Sequence, residues 1–225
     1  MVQDGGKWCK IGDMSTTPVG HDVLAQIAAS DRFLVQQVFK PIGNEYRISI
    51  PAAGSTEEGP PLLHVRQKRL AIKEDIRFRL DPEREEHLFM IKSKSAFEFR
   101  GRHEVFDAEG NMIGLLSKSF AKSLLRSHWT VHDASGAELL ESQESNLLVA
   151  LLRRFGGEVP FIGWLLELIP YHFALRRGTD EIGRYQRVLG KLRDRYVLEL
   201  GPGTAGIDRR LLLAFAVALD ALQDR

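Results

Sequence analysis

The stretch IDRRLLLAFAVALDAL, residues 207–222, decides the fold. From Leu211 to Leu219 it runs through nine consecutive apolar residues, so at helical pitch no face is left to offer to water. Leu and Ala dominate, Val217 is the only β-branched residue in the run, and Asp208 stands where it can cap a first turn. The stretch is therefore expected to be a helix buried on every side. A membrane span would be the other home for it, but nine residues rising ~1.5 Å each cover about 14 Å, roughly half of a ~30 Å hydrocarbon core. The enclosure has to come from the rest of the chain.

That enclosure reads as β-structure. Tyr46, Ile48 and Ile50 alternate with Arg47 and Ser49; Ile76, Phe78 and Leu80 alternate with Arg77 and Arg79; Phe97 and Phe99 alternate with Glu98 and Arg100. One face of each run is apolar and the other charged, the pattern of antiparallel strands with a single wet side. Similar runs are expected at 32–39, 62–66, 69–73, 86–92, 171–176, 181–188 and 193–200. An internal repeat supplies two hairpins: VFDAEGNMI at 105–113 matches VHDASGAEL at 131–139, 26 residues on. In each, Asp107 or Asp133 opens the turn by binding backbone amides, and Gly110 or Gly136 supplies a positive φ.

About a dozen strands and one wholly apolar helix define the expected fold. A helix with side chains is ~10 to 12 Å across, whereas an eight-stranded barrel holds only its own side chains, so enclosing a helix takes roughly eleven or twelve strands. The fold class is accordingly mainly β: a closed antiparallel barrel of about 12 strands around a hydrophobic C-terminal helix. Residues 1–29 read as a flexible N-terminal tail with room for a short helix at 21–30. Residues 30–225 read as one barrel domain, interrupted by a helical insertion at about 146–170.

Bulk composition narrows the function classes. With 225 residues, 44% of them hydrophobic, the chain can bury a substantial core. Thirty-one Lys and Arg against thirty Asp and Glu leave a formal charge of +1, so no global footprint for nucleic acid is present. The single cysteine, Cys9, excludes an intramolecular disulfide framework and fits a reducing compartment. The first twenty residues hold no apolar core of a signal peptide, so the expected location is cytoplasmic, with peripheral membrane contact as an extension.

No catalytic constellation emerges, and the chain is expected not to be an enzyme and to need no cofactor. The seven histidines, His21, His64, His87, His103, His128, His132 and His172, form no metal-binding helix pattern; His128 and His132 share a strand face at ~13 Å, too far to share an ion. YVLELGPGTAG at 196–206 resembles motif I of S-adenosylmethionine-dependent methyltransferases, a minor alternative resting on Val197 to Gly206. Against it, the helix that follows has no wet face, whereas a nucleotide-binding helix covers one side of a sheet.

Basic residues cluster twice, at Arg66, Lys68, Arg69, Lys73, Arg77 and Arg79, and at Lys92, Lys94, Arg100 and Arg102. By strand alternation Lys92 and Lys94 share a face, as do Arg100 and Arg102, so these four are the candidates for contact with anionic lipid head groups, each charge worth about 1 kcal/mol at a membrane surface. Phe161 and Trp164, in the apolar insertion, are candidates for touching a bilayer directly. A solvated outer wall is the commoner explanation of such basic residues, and a soluble protein-interaction or structural barrel is the second reading.

The opening strand FLVQQ (33–37), the paired V-x-D-A-x-G hairpins, GKLRDRY (190–196) and the G-I-D plus apolar helix from Gly206 to Asp220 together resemble the tubby C-terminal-like superfamily, in its LURP-one-related and phospholipid-scramblase branch. The resemblance spans about residues 31 to 222. It implies a twelve-stranded barrel around a hydrophobic helix and, more loosely, binding of phospholipid head groups. Only Asp208 precedes the helix, where scramblases carry an acidic cluster, so a calcium site is not expected. Neither a cysteine cluster nor a proline-rich amino-terminal segment is present, and scramblase activity does not follow.

Overall fold

The computed structural model describes residues 18–38, 44–70, 73–93, 101–119, 128–144, 172–188 and 195–222. Helix α1 (Pro18–Ala29) leads into twelve strands: β1 (Arg32–Val38), β2 (Glu45–Ser49), β3 (Pro61–Leu70), β4 (Lys73–Arg79), β5 (Phe89–Ser93), β6 (Arg102–Asp107), β7 (Met112–Ser119), β8 (His128–Asp133), β9 (Glu138–Glu144), β10 (His172–Arg177), β11 (Asp180–Arg187) and β12 (Arg195–Leu200). A short 3₁₀ turn at Pro202–Thr204 then precedes helix α2 (Arg209–Ala221). Each strand pairs antiparallel with its neighbours in sequence, and β1 closes the barrel against β12 with Phe33 opposite Leu198. Among the described strands, closure leaves no edge to pair with another chain.

Strand alternation sets the wall. Tyr46, Ile48, Val65, Ile76, Phe78, Val105, Val131 and Leu198 are buried and belong to one core cluster. All nine residues from Leu211 to Leu219 are buried too and join that same cluster, so α2 is covered on every side. Within it the Phe215 ring meets the Trp129 indole edge-on, centroids 6.3 Å apart. Gly114 of β7 faces Leu211 so closely that a Cβ there would sit 2.6 Å from Leu211 Cδ2.

Both ends of α2 are tied down. At the start Asp208 Oδ1 accepts from the Arg210 amide at 2.9 Å, and Arg209 Nη2 donates to Asp31 Oδ1 at 2.6 Å. At the far end Lys118 Nζ donates to the Leu222 carbonyl at 2.9 Å, and Tyr46 Oη donates to Asp220 Oδ2 at 2.7 Å. Helix ends carry four unmatched backbone groups each, and buried ones need such partners. Helix α1 lies near the start of α2 and places Ile27, 1% exposed, in the core.

The repeat forms two equivalent hairpins. Asp107 Oδ1 accepts from the Asn111 amide at 2.7 Å, and Asp133 Oδ1 accepts from Ser135 and Ala137 amides at 2.8 and 2.9 Å. Gly110 and Gly136 have φ of 86° and 88°. Each hairpin carries a bulge at the same repeat position, between Val105 and Phe106 and between Val131 and His132.

One detail differs from the sequence expectation, and one expected feature falls outside the described residues. The run expected at 69–73 is not a strand of its own: β3 continues to Leu70 and β4 begins at Lys73. Register sets Lys68 opposite Asp75 and Arg69 opposite Glu74, so these charged residues belong to the paired ladder. The insertion expected at 146–170 lies outside the described residues.

Candidate binding surfaces

Among the lipid-binding candidates, Lys92 and Arg102 are both exposed, on the paired strands β5 and β6. Lys92 is placed by register between Asp75 on one side and Glu104 on the other, with its Nζ 5.3 Å from the centre of the Phe106 ring. A cation over an aromatic face gains about 0.5–1 kcal/mol at such exposed sites. The Asp75–Lys92–Glu104 row is mixed in charge. Lys94, Arg100, Phe161 and Trp164 lie outside the described residues.

The other basic stretch divides. Arg77 is clamped by Asp75, with Nη2 to Oδ2 at 2.8 Å and Nε to Oδ1 at 3.1 Å. Arg79 is 2% exposed, held by Nη1 to the Arg84 carbonyl at 2.9 Å and Nη2 to Glu85 at 3.3 Å. Its Nε is buried without a hydrogen-bond partner. Beside it, Arg47, His64 and Arg66 line a hollow of about 200 Å³ on the outer wall, which Glu45 and Glu83 also border. A second, wider hollow of about 600 Å³ opens where α1 meets the segment from Gly206 to Arg210.

A polar group that sequence reading missed sits inside the barrel near the end of α2. Ser93 Oγ and His103 Nδ1 are 2.7 Å apart, and the His103 ring lies 6.1 Å from that of Trp129. Lys118, 5% exposed, has its Nζ 5.6 Å from the same indole. Burial, and secondarily the positive charge of Lys118, pushes the His103 imidazole down to about 4. So depressed, the imidazole is largely uncharged near neutral pH. The signal was available: Lys118 shares strand parity with Gly114 and Leu116, both buried.

The histidines and glycines singled out in the sequence are accounted for locally. His128 Nε2 lies 3.1 Å from Glu141 Oε2 and His132 Nε2 lies 3.1 Å from Thr130 Oγ1, so each has its own partner. Among the described residues no three His, Cys, Asp or Glu side chains gather as metal ligands. A Cβ at Gly203 would collide with Ile182 Cγ2, and the Gly201 amide donates to the Ile182 carbonyl at 2.7 Å. These glycines let the last loop press on β11. The methyltransferase alternative loses its scaffold, because that site needs parallel strands and β12 is antiparallel to both neighbours.

A closed antiparallel barrel of twelve strands with a buried C-terminal helix is the class this architecture defines. The chain belongs to the LURP-one-related family, whose model matches residues 62–220. Comparison with curated proteins found no match. No helix among the described residues is long and apolar enough to cross a membrane.

Proposed function

We propose that this chain is a non-catalytic binding barrel whose lumen is filled by α2 and whose outer wall meets anionic phospholipid head groups peripherally, at a cytoplasmic membrane face. The observation that carries the reading is the outward exposure of Lys92 and Arg102 on adjacent paired strands. With the core packed around α2, a ligand has to be met outside. Wider kinship with tubby-like and scramblase-like proteins belongs to the same proposal, without lipid transport.

Flotation of the full chain with neutral and anionic vesicles, at low and physiological salt, tests it. Binding confined to anionic vesicles, weakened by salt and lost on Lys92→Glu with Arg102→Glu, is expected. Equal behaviour with both vesicle types ends the electrostatic reading. One observation favours a second reading, a protein-interaction barrel: alternation of sign along Asp75, Lys92 and Glu104 suits a mixed-charge protein surface better than a uniformly negative membrane.

A further inference from the structure

The hollow on β2, β3 and β4 has a composition that stability alone would not select. Register places Arg47 directly opposite His64, and His64 directly opposite Arg79, three nitrogen bases in one cross-strand row. Two guanidiniums thus flank one imidazole, and like charges gathered in one row destabilise a sheet. Arg66 adds a further guanidinium one row along, opposite Glu45.

The acidic groups around the hollow hold these cations loosely. Arg47 reaches Glu58 at 3.5 Å, Arg66 reaches Glu45 at 3.8 Å and Arg79 reaches Glu85 at 3.3 Å. Charge-assisted hydrogen bonds close at about 2.7–2.9 Å, and neighbouring Arg77 shows that length to Asp75 at 2.8 Å. Arg47 and Arg66 are thus free to turn toward a better acceptor. Arg79 gives a fixed floor: nearly fully buried, oriented by the Arg84 carbonyl, with its Nε lacking any partner.

We propose that Arg47, His64, Arg66 and Arg79 form a binding site for a phosphate-class oxyanion on the outer wall of the barrel. At about 200 Å³ the hollow is smaller than the roughly 300–1,000 Å³ of drug-sized pockets, so it takes a phosphate group with its first waters rather than a nucleotide. The anion offsets the repulsion between the Arg47 and Arg79 guanidiniums, which flank His64 in one row. The site does not depend on Lys92 and Arg102, which stand on β5 and β6.

His64 makes binding responsive to pH. Burial and then the charge of Arg47 hold its imidazole below the usual value, against Asp81, Glu45 and Glu58, which pull it up. The other charged groups facing it are Arg66 on β3, Arg79 on β4 and Glu83 from the following loop. A bound dianion favours the imidazolium, so the complex takes up a proton. Sulfate, whose charge is constant near neutrality, isolates this effect: its affinity rises as pH falls from about 8 to about 6.

The test is titration of the full chain with inorganic phosphate and with sulfate, followed by histidine NMR shifts, against chloride at matched ionic strength. Saturable shifts with both oxyanions, and none with chloride, are expected. Arg47→Gln and His64→Gln, at partly exposed positions, weaken phosphate roughly ten-fold each, while Arg77→Gln does not. Arg79→Gln is avoided as the main variant because its burial threatens folding. A chloride response equal to phosphate, or equal loss from Arg77→Gln and Arg47→Gln, overturns the proposal. Vesicles bearing phosphatidic acid identify the source: flotation abolished by Arg47→Gln marks a lipid head group, and soluble phosphate binding without flotation marks a free phosphate or phosphomonoester.

Discussion

Lys118 in the wall donates a hydrogen bond to the carbonyl of Leu222, 104 residues away in sequence, at 2.9 Å and out of contact with water. The bond closes the C-terminal end of α2, where carbonyls have no helical partners and the helix dipole favours positive charge. A lysine facing the core is costly unless its charge is met. Here its position is explained by the helix it caps.

Replacing it tests this tie. Lys118→Met keeps most of the side chain's volume but removes the donor, leaving a buried carbonyl unmatched; the expected loss is about 1.5–3 kcal/mol. Thermal unfolding should shift down by roughly 2–4 °C per kcal/mol for a chain of this size. An unchanged midpoint would mean the amine contributes nothing to holding the helix.

Gly114 and Leu211 should be energetically coupled. A methyl at Gly114 meets both Leu211 Cδ2 and the His132 carbonyl oxygen at 2.6 Å, so Gly114→Ala is expected to cost about 1–3 kcal/mol through overpacking. Leu211→Ala vacates one of the two contacts. In a double-mutant cycle by urea unfolding, the combined loss should fall short of the sum by about 0.5–3 kcal/mol. Strict additivity would place Leu211 away from that wall.

His103 predicts a pH dependence with a definite sign. Its folded value, about 4, is below the unfolded 6.5 because burial and then Lys118 disfavour the imidazolium. Between those values the unfolded chain binds more protons, so this contribution is fully present above the unfolded value and is lost as pH falls toward the folded one, roughly 3 kcal/mol in all. His64 and His87 shift in the same direction, also with burial as the first cause. The difference in stability between the native chain and His103→Gln isolates the residue: it should shrink as pH drops through that window. A pH-independent difference would assign His103 a purely steric role.

The parts of this molecule that were legible in the sequence are those written in local chemistry. Nine apolar residues in succession could only be a buried element, and the Asp107–Gly110 and Asp133–Gly136 turns announce their hairpins through a capping carboxylate and a positive φ. Barrel closure is different. Phe33 and Leu198 meet although they stand 165 positions apart in the sequence, and nothing in either strand alone names the other. Lys118 was hidden for another reason: between Ser117 and Ser119 it looks like part of a wet edge, and only its parity with Leu116 turns it inward. Arg79 was placed with the outer basic residues, yet its burial depends on the following loop, whose Arg84 carbonyl and Glu85 hold it.

Amide hydrogen exchange across α2 tests most directly whether the helix fills the lumen. The amides from Leu213 to Leu219 should exchange only by global unfolding, with the same free energy and denaturant dependence as core strand amides such as Val105 and Val131. Helix amides that open at much lower free energy, while those strands stay protected, would contradict the account: α2 would then leave its place without unfolding the barrel, and the interior rather than the outer wall would be the surface to examine for a ligand.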